Sequence, residues 1–111
     1  KVIYVYPVPE LNFEPRLCVG ELPLGRKNPV DSCSYPLPSE LERQSSLRKS
    51  IAEVLKKYPS VETFDPTKVL CRDGICNAVI DHRVMYTDTN HLSESGSYIQ
   101  GDEIKKQFPL N

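Results

Sequence analysis

SELERQSSLRKSIAEVLKKYPSVETF, Ser39 to Phe64, is the stretch that decides the fold. Ser39 stands three residues ahead of Glu42, the spacing of a capping box, in which a hydroxyl and a carboxylate accept amide hydrogens that the ends of a first helical turn leave without partners. Leu47, Ile51, Leu55 and Tyr58 then recur at i, i+4, i+8 and i+11, joined by Leu41 and Val54, while Arg43, Lys49, Glu53 and Lys57 take the other side. Pro59 stops the run because it lacks the amide hydrogen a helix needs. The spacing predicts an amphipathic helix over Ser39 to Tyr58 whose apolar stripe lies on a sheet. Val61 to Phe64 reads as the strand that follows, and Val2 to Tyr6, halted by Pro7-Val8-Pro9, as the strand before. Strand, crossover helix and strand make a βαβ unit, expected to be parallel and right-handed, so the fold class is α/β.

Between the first strand and the helix, residues 7 to 38 hold seven of the ten prolines. A loop of that length is functional or stapled as a rule, and Cys18 and Cys33 supply a staple. Beyond the second strand, Cys71 and Cys76 flank the turn-like RDGI. An even set of four cysteines in a small chain reads as disulfides in an oxidising compartment; local spacing favours Cys18–Cys33 and Cys71–Cys76 among three pairings. A four-thiolate zinc site is the rival, and the fourteen residues between Cys18 and Cys33 fit it poorly. The short runs NAVI and RVMY around Asp81-His82 are expected to form a small β-excursion outside the core. Ser95 to Phe108 reads as a helix with Ser97, Gly101, Ile104 and Phe108 on one face, small enough in part to approach a sheet closely, and with Ser93 as N-cap. Tyr4, Tyr6, Phe64 and Tyr86 are read as core residues.

Fourteen Lys and Arg against fifteen Asp and Glu leave a net charge of −1 over 111 residues, so no overall field draws in a polyanion, and nucleic acid is excluded as an expected partner. No apolar run approaches the roughly 20 residues that span a bilayer. The chain opens directly on KVIYVYP, a buried-strand type of sequence with no polar lead, which suggests the later part of a longer polypeptide.

Chemistry concentrates in YTDTNHLSESG, Tyr86 to Gly96. Asp88 and His91 stand three apart between a strand and a helix, where α/β folds carry functional loops. A carboxylate on imidazole Nδ1 selects the tautomer that leaves Nε2 able to take a proton from a nucleophile. Ser93 and Ser95 are read as capping residues rather than nucleophiles, His82 as a solvated loop histidine, and Asp65 as the end of a strand bonded to turn amides. A metal site built from Asp81, His82, Asp88 and His91 lacks any ligand spacing such as H-x-x-x-H.

The run FDPTKVLCRDGICNAVIDHRVMYTDTNHLSESG resembles the end of an SGNH/GDSL-type hydrolase domain, in the version fused behind the membrane domain of acyltransferase-3 family O-acyltransferases. VIYVYPVPEL, the cysteine-containing proline-rich loop and the helix running into YPSVETFDP extend the resemblance over nearly the whole chain. It implies a flavodoxin-like three-layer α/β/α fold, a nucleophilic serine in a GDS motif, oxyanion donors from a glycine and an asparagine, and a last motif supplying Asp and His, matched here by Asp88 and His91. The chain contains no GDS sequence. Residues 1–111 are therefore expected to be the C-terminal portion of one such domain, holding the base and its orienter and inactive alone. The resemblance also implies transfer of an acyl group, acetyl foremost, to hydroxyls of a bacterial cell-surface polysaccharide, or an esterase where water is the acceptor. No cofactor and no metal are expected. The expected partners are an acyl donor, a carbohydrate acceptor, the missing N-terminal half, a membrane acyltransferase domain, and a second copy through the exposed strand edge. The implied place is the periplasmic or extracytoplasmic face of a bacterial inner membrane, tethered by that membrane domain. The alternative from another class is a noncatalytic, disulfide-stapled binding or scaffold domain that shares the fold.

Overall fold

In the computed structural model the β-branched and aromatic VIYVY run forms strand β1, Ile3–Val5. The described residues are 1–21 and 33–109, so part of the proline-rich segment, 22–32, lies outside them. Helix α1 (Pro15–Glu21), strand β2 (Ser34–Pro36), helices α2 (Leu37–Arg43) and α3 (Ser45–Leu55) and strand β3 (Glu62–Phe64) follow. β1 and β3 pair in parallel with Ile3 opposite Glu62 and Val5 opposite Phe64, extended by bonds from the Glu62 amide to the Val2 carbonyl and from the Tyr6 amide to the Phe64 carbonyl. The parallel strand–helix–strand unit read from the sequence is present. The chain is a small mixed α/β domain.

After β3 come a short helix α4 (Thr67–Leu70), strands β4 (Cys71–Arg72), β5 (Ile75–Asn77), β6 (Val79–Ile80) and β7 (Arg83–Val84), and helix α5 (Glu94–Gln107). β4 and β5 form a hairpin across Asp73 and Gly74, both with positive φ, the turn whose twist matches that of paired strands. The disulfide Cys71–Cys76 crosses this hairpin, joining directly opposed residues. It is one of the two bridges expected, and Cys18 and Cys33, the residues of the other, are both buried. β2 adds to β5 as a third antiparallel strand. β6 and β7 make a second hairpin, turned by Asp81 and His82, again with positive φ, so His82 is the exposed loop histidine that the sequence suggests.

Four expectations need correction. The helix does not begin at Ser39. It begins at Leu37 with Pro36 at the N-cap and Pro38 in the first turn, where a missing amide hydrogen costs nothing, so no capping box forms; at Gln44 it divides into α2 and α3. Its apolar stripe does not lie on the sheet: Leu41, Leu47, Val54 and Tyr58 are exposed, and the buried positions nearest its start are Glu40 and Gln44. The excursion after β3 is not peripheral. Leu70, Cys71, Cys76, Ala78, Ile80 and Met85 are core, packed with Phe64, Tyr86 and Phe108, whereas Tyr4 and Tyr6 are only half-buried. Finally, α5 approaches its neighbour closely through Gly96, not Gly101. A Cβ on Gly96 would lie 2.2 Å from the Met85 carbonyl oxygen, while one on Gly101 meets nothing within 4 Å. Ser93 is the N-cap expected, its hydroxyl accepting from the Gly96 amide.

Candidate active site

The segment from Tyr86 to Leu92 is a closed loop between β7 and α5. Tyr86 and Leu92 form an antiparallel bridge, the Thr87 amide donates to the His91 carbonyl at 2.9 Å, and the Ser93 amide donates to the Met85 carbonyl at 2.8 Å. Those bonds put Asp88 and His91 at the loop's tip. Asp88 Oδ1 accepts from the amides of Asn90 (2.9 Å) and His91 (2.7 Å), so the carboxylate shapes the backbone turn as well as the ring. His91 Nδ1 lies 2.8 Å from Asp88 Oδ2 and 3.0 Å from Oδ1. With Nδ1–H held by the carboxylate, the lone pair of the neutral imidazole is on Nε2. The ring is 72% exposed, reachable by another group.

The Asn90 amide, followed by the His91 ring and amide, holds the Asp88 carboxyl below its ordinary range. Ser93 is committed elsewhere: its hydroxyl donates to the Val84 carbonyl at 2.6 Å while accepting from Gly96. Among the described residues no group of three or more His, Cys, Asp and Glu side chains gathers, so Asp81 and His82 do not join Asp88 and His91 as metal ligands.

Beside the loop, a cleft of about 410 Å³ opens between the chain leaving β1 and the helix pair, lined by Pro7, Val8, Glu10, Arg43, Leu47 and Asn90. Arg43 Nη1 pairs with Glu10 Oε2 at 2.9 Å, and Arg43 also holds Glu40. Asp65 ends β3 and accepts from the Thr67 amide and hydroxyl, as expected; beyond that, Arg48 holds it with two parallel bonds of 2.7 and 2.9 Å and stacks over the Tyr6 ring at 4.7 Å. Burial alone would raise the Asp65 carboxyl, but the bonds from Arg48 and Thr67 outweigh it and hold it low.

The sequence reading missed Glu40, Gln44 and Arg48. Gln44 Nε2 donates to Glu40 Oε1 and Arg48 Nε donates to Gln44 Oε1, a ladder at i, i+4 and i+8 that turns a polar face toward the body of the domain. That spacing puts the three on one face, but the apolar stripe that starts one position away, at Leu41 and Leu47, points to a different inward face.

A parallel βαβ unit, two hairpins and then an exposed Asp–His loop make this a small mixed α/β domain. The family model described as SGNH domain (fused to AT3 domains) matches residues 1–106, and the chain belongs to that family. No curated protein and no solved structure matches it.

Proposed function

We propose that this chain supplies the general base and its orienting carboxylate to an acyl-transfer site. The observation that carries the reading is the 2.8 Å contact of Asp88 with His91 Nδ1 in an exposed loop beside a cleft. His91 Nε2 takes the proton of a serine contributed from outside these 111 residues as that oxygen attacks the acyl donor. The protonated ring then returns its proton to the leaving group. In the second half-reaction His91 removes a proton from an incoming hydroxyl, which resolves the acyl-enzyme. Asp88 holds the ring in the working tautomer and offsets the imidazolium charge. Membership of a family fused to AT3 domains supports a membrane acyltransferase domain as partner; in this reading the cargo is an acyl group, acetyl foremost. The acceptor in this reading is a hydroxyl of a bacterial cell-surface polysaccharide at the extracytoplasmic face of the inner membrane. The cleft lined by Glu10, Arg43 and Asn90 over Val8 and Leu47 suits a ligand with hydroxyls on its edge and C–H groups on its face.

The same reading makes residues 1–111 the C-terminal portion of a three-layer α/β/α domain. Exposed Val2, just before β1, exposed Val5 on β1, and exposed Leu47 and Val54 on α3 are then surfaces that the remainder of the domain, or a second copy, covers. Light scattering of the isolated chain should show association; a stable monomer at high concentration would count against that. The test of function is acetyl transfer by the whole protein. His91→Ala and Asp88→Asn should each cost about 10⁴-fold in kcat, the scale set by loss of a triad carboxylate. The isolated chain should hydrolyse no p-nitrophenyl acetate above background. Wild-type rates in the His91→Ala protein would end the reading.

A further inference from the structure

Among the described residues, Glu40 is a deeply buried carboxylate, 1% exposed. It is tolerated because donors converge on it: the Glu10 amide at 3.1 Å, the Tyr35 hydroxyl at 2.8 Å, Gln44 Nε2 at 2.6 Å and the Arg43 guanidinium. The Tyr35 hydroxyl also lies 2.5 Å from the Glu10 carbonyl oxygen, so its one proton is shared between that carbonyl and the carboxylate. Residue 10 is thus gripped on both sides, its amide by Glu40 and its carbonyl by Tyr35.

The Glu10 carbonyl and the Leu11 amide belong to one peptide group. The Leu11 amide donates to the Thr89 carbonyl at 2.7 Å. Thr89's carbonyl and Asn90's amide are likewise one peptide group, and the Asn90 amide donates to Asp88 Oδ1. A single file of hydrogen bonds therefore runs from Tyr35 through two peptide groups to Asp88 and on to His91 Nδ1. Both peptide dipoles point their N–H ends toward the Asp88 charge, so each bond polarises and strengthens the next. Among the described residues, the Leu11–Thr89 bond is the hydrogen bond that ties the loop tip, 88–90, to the body of the domain.

From this we propose that Tyr35 and Glu40 are positioning residues for the Asp88–His91 pair, acting through the Glu10–Leu11 and Thr89–Asn90 peptide groups; the proposal rests on reading that pair as catalytic. Neither residue touches the reacting groups. Their role is to fix the plane of the Thr89–Asn90 peptide, and so the carboxylate that selects the His91 tautomer.

Tyr35→Phe tests this directly, because it keeps the ring that packs edge-on against Phe13 and removes the hydroxyl alone. In NMR spectra of the isotope-labelled chain, Leu11 amide exchange should quicken by about tenfold. The Leu11 and Asn90 amide protons should move upfield, and the fraction of His91 protonated at Nδ1 should fall. Glu40→Gln should do the same more strongly; where that variant fails to fold, Tyr35→Phe decides. Val69→Ala, a buried truncation away from the file, is the control for general loosening. Unchanged Asn90 and His91 signals in a folded Tyr35→Phe chain would overturn the proposal, as would equal changes in Val69→Ala. These signals are read without turnover, so an active His91→Ala enzyme would sink the catalytic reading and leave the file of bonds standing.

Discussion

Gly96→Ala should be among the most damaging single-methyl changes in the chain. Gly96 is buried in the first turn of α5, and an added Cβ would sit 2.2 Å from the Met85 carbonyl oxygen, 3.1 Å from its carbon and 3.2 Å from Leu92 Cδ2. Two of those atoms are backbone and cannot swing aside. α5 must retreat, which stretches the Ser93 amide bond to Met85 and the Ser93 hydroxyl bond to Val84. Overpacking costs about 2 kcal/mol, a lost backbone hydrogen bond about 1 and a weakened cap about 1, while alanine's better helix propensity returns about 1, a net loss of about 3 kcal/mol. For a domain of this size that is a drop in Tm of about 10 to 20 °C. Gly101→Ala is the paired control: its Cβ meets nothing within 4 Å, so the same substitution should stabilise by about 0.5 to 1 kcal/mol. Thermal melts of both variants followed by circular dichroism make the comparison. A Gly96→Ala protein melting within about 2 °C of wild type would refute the close approach of α5 to Met85 and the loop anchoring built on it.

Reducing Cys71–Cys76 should lower the denaturant midpoint by an amount equivalent to about 2 kcal/mol, the chain-entropy value for so short a loop, measured with and without a phosphine reductant. Acid should destabilise the domain through Asp65. Its folded pKa is depressed, so its contribution is full above the unfolded value near 3.8 and is lost as the pH falls through the folded value. Asp65→Asn should therefore flatten the acid limb of a stability-against-pH curve and lower the plateau at neutral pH; a limb as steep as wild type would remove Asp65 as its source.

The parallel strands, the last helix with its Ser93 cap, the Asp73-Gly74 hairpin and the Asp88–His91 pair were all legible along the chain. Each is written in a few neighbouring residues: β-branched runs, a hydroxyl ahead of a helical period, a turn that needs positive φ, an acid three places before a histidine. The core position of the segment after β3 was also written there, in the alternation of Cys76, Ala78 and Ile80, but its strands are so short that the pattern passed for a surface excursion. What the sequence could not determine is which face of the Leu37–Leu55 helix pair turns inward. Hydrophobic periodicity chose Leu47, Val54 and Tyr58, and the tertiary structure chose Glu40, Gln44 and Arg48. The physical reason lies in the donors. A buried carboxylate is stable only where enough hydrogen bonds converge on it, and those reaching Glu40 and Asp65 come from residues 10, 35 and 67 as well as from the helix itself. Such convergence exists only after the chain has folded, and the link from Tyr35 to His91, carried largely by backbone groups common to every residue, has no sequence signature at all.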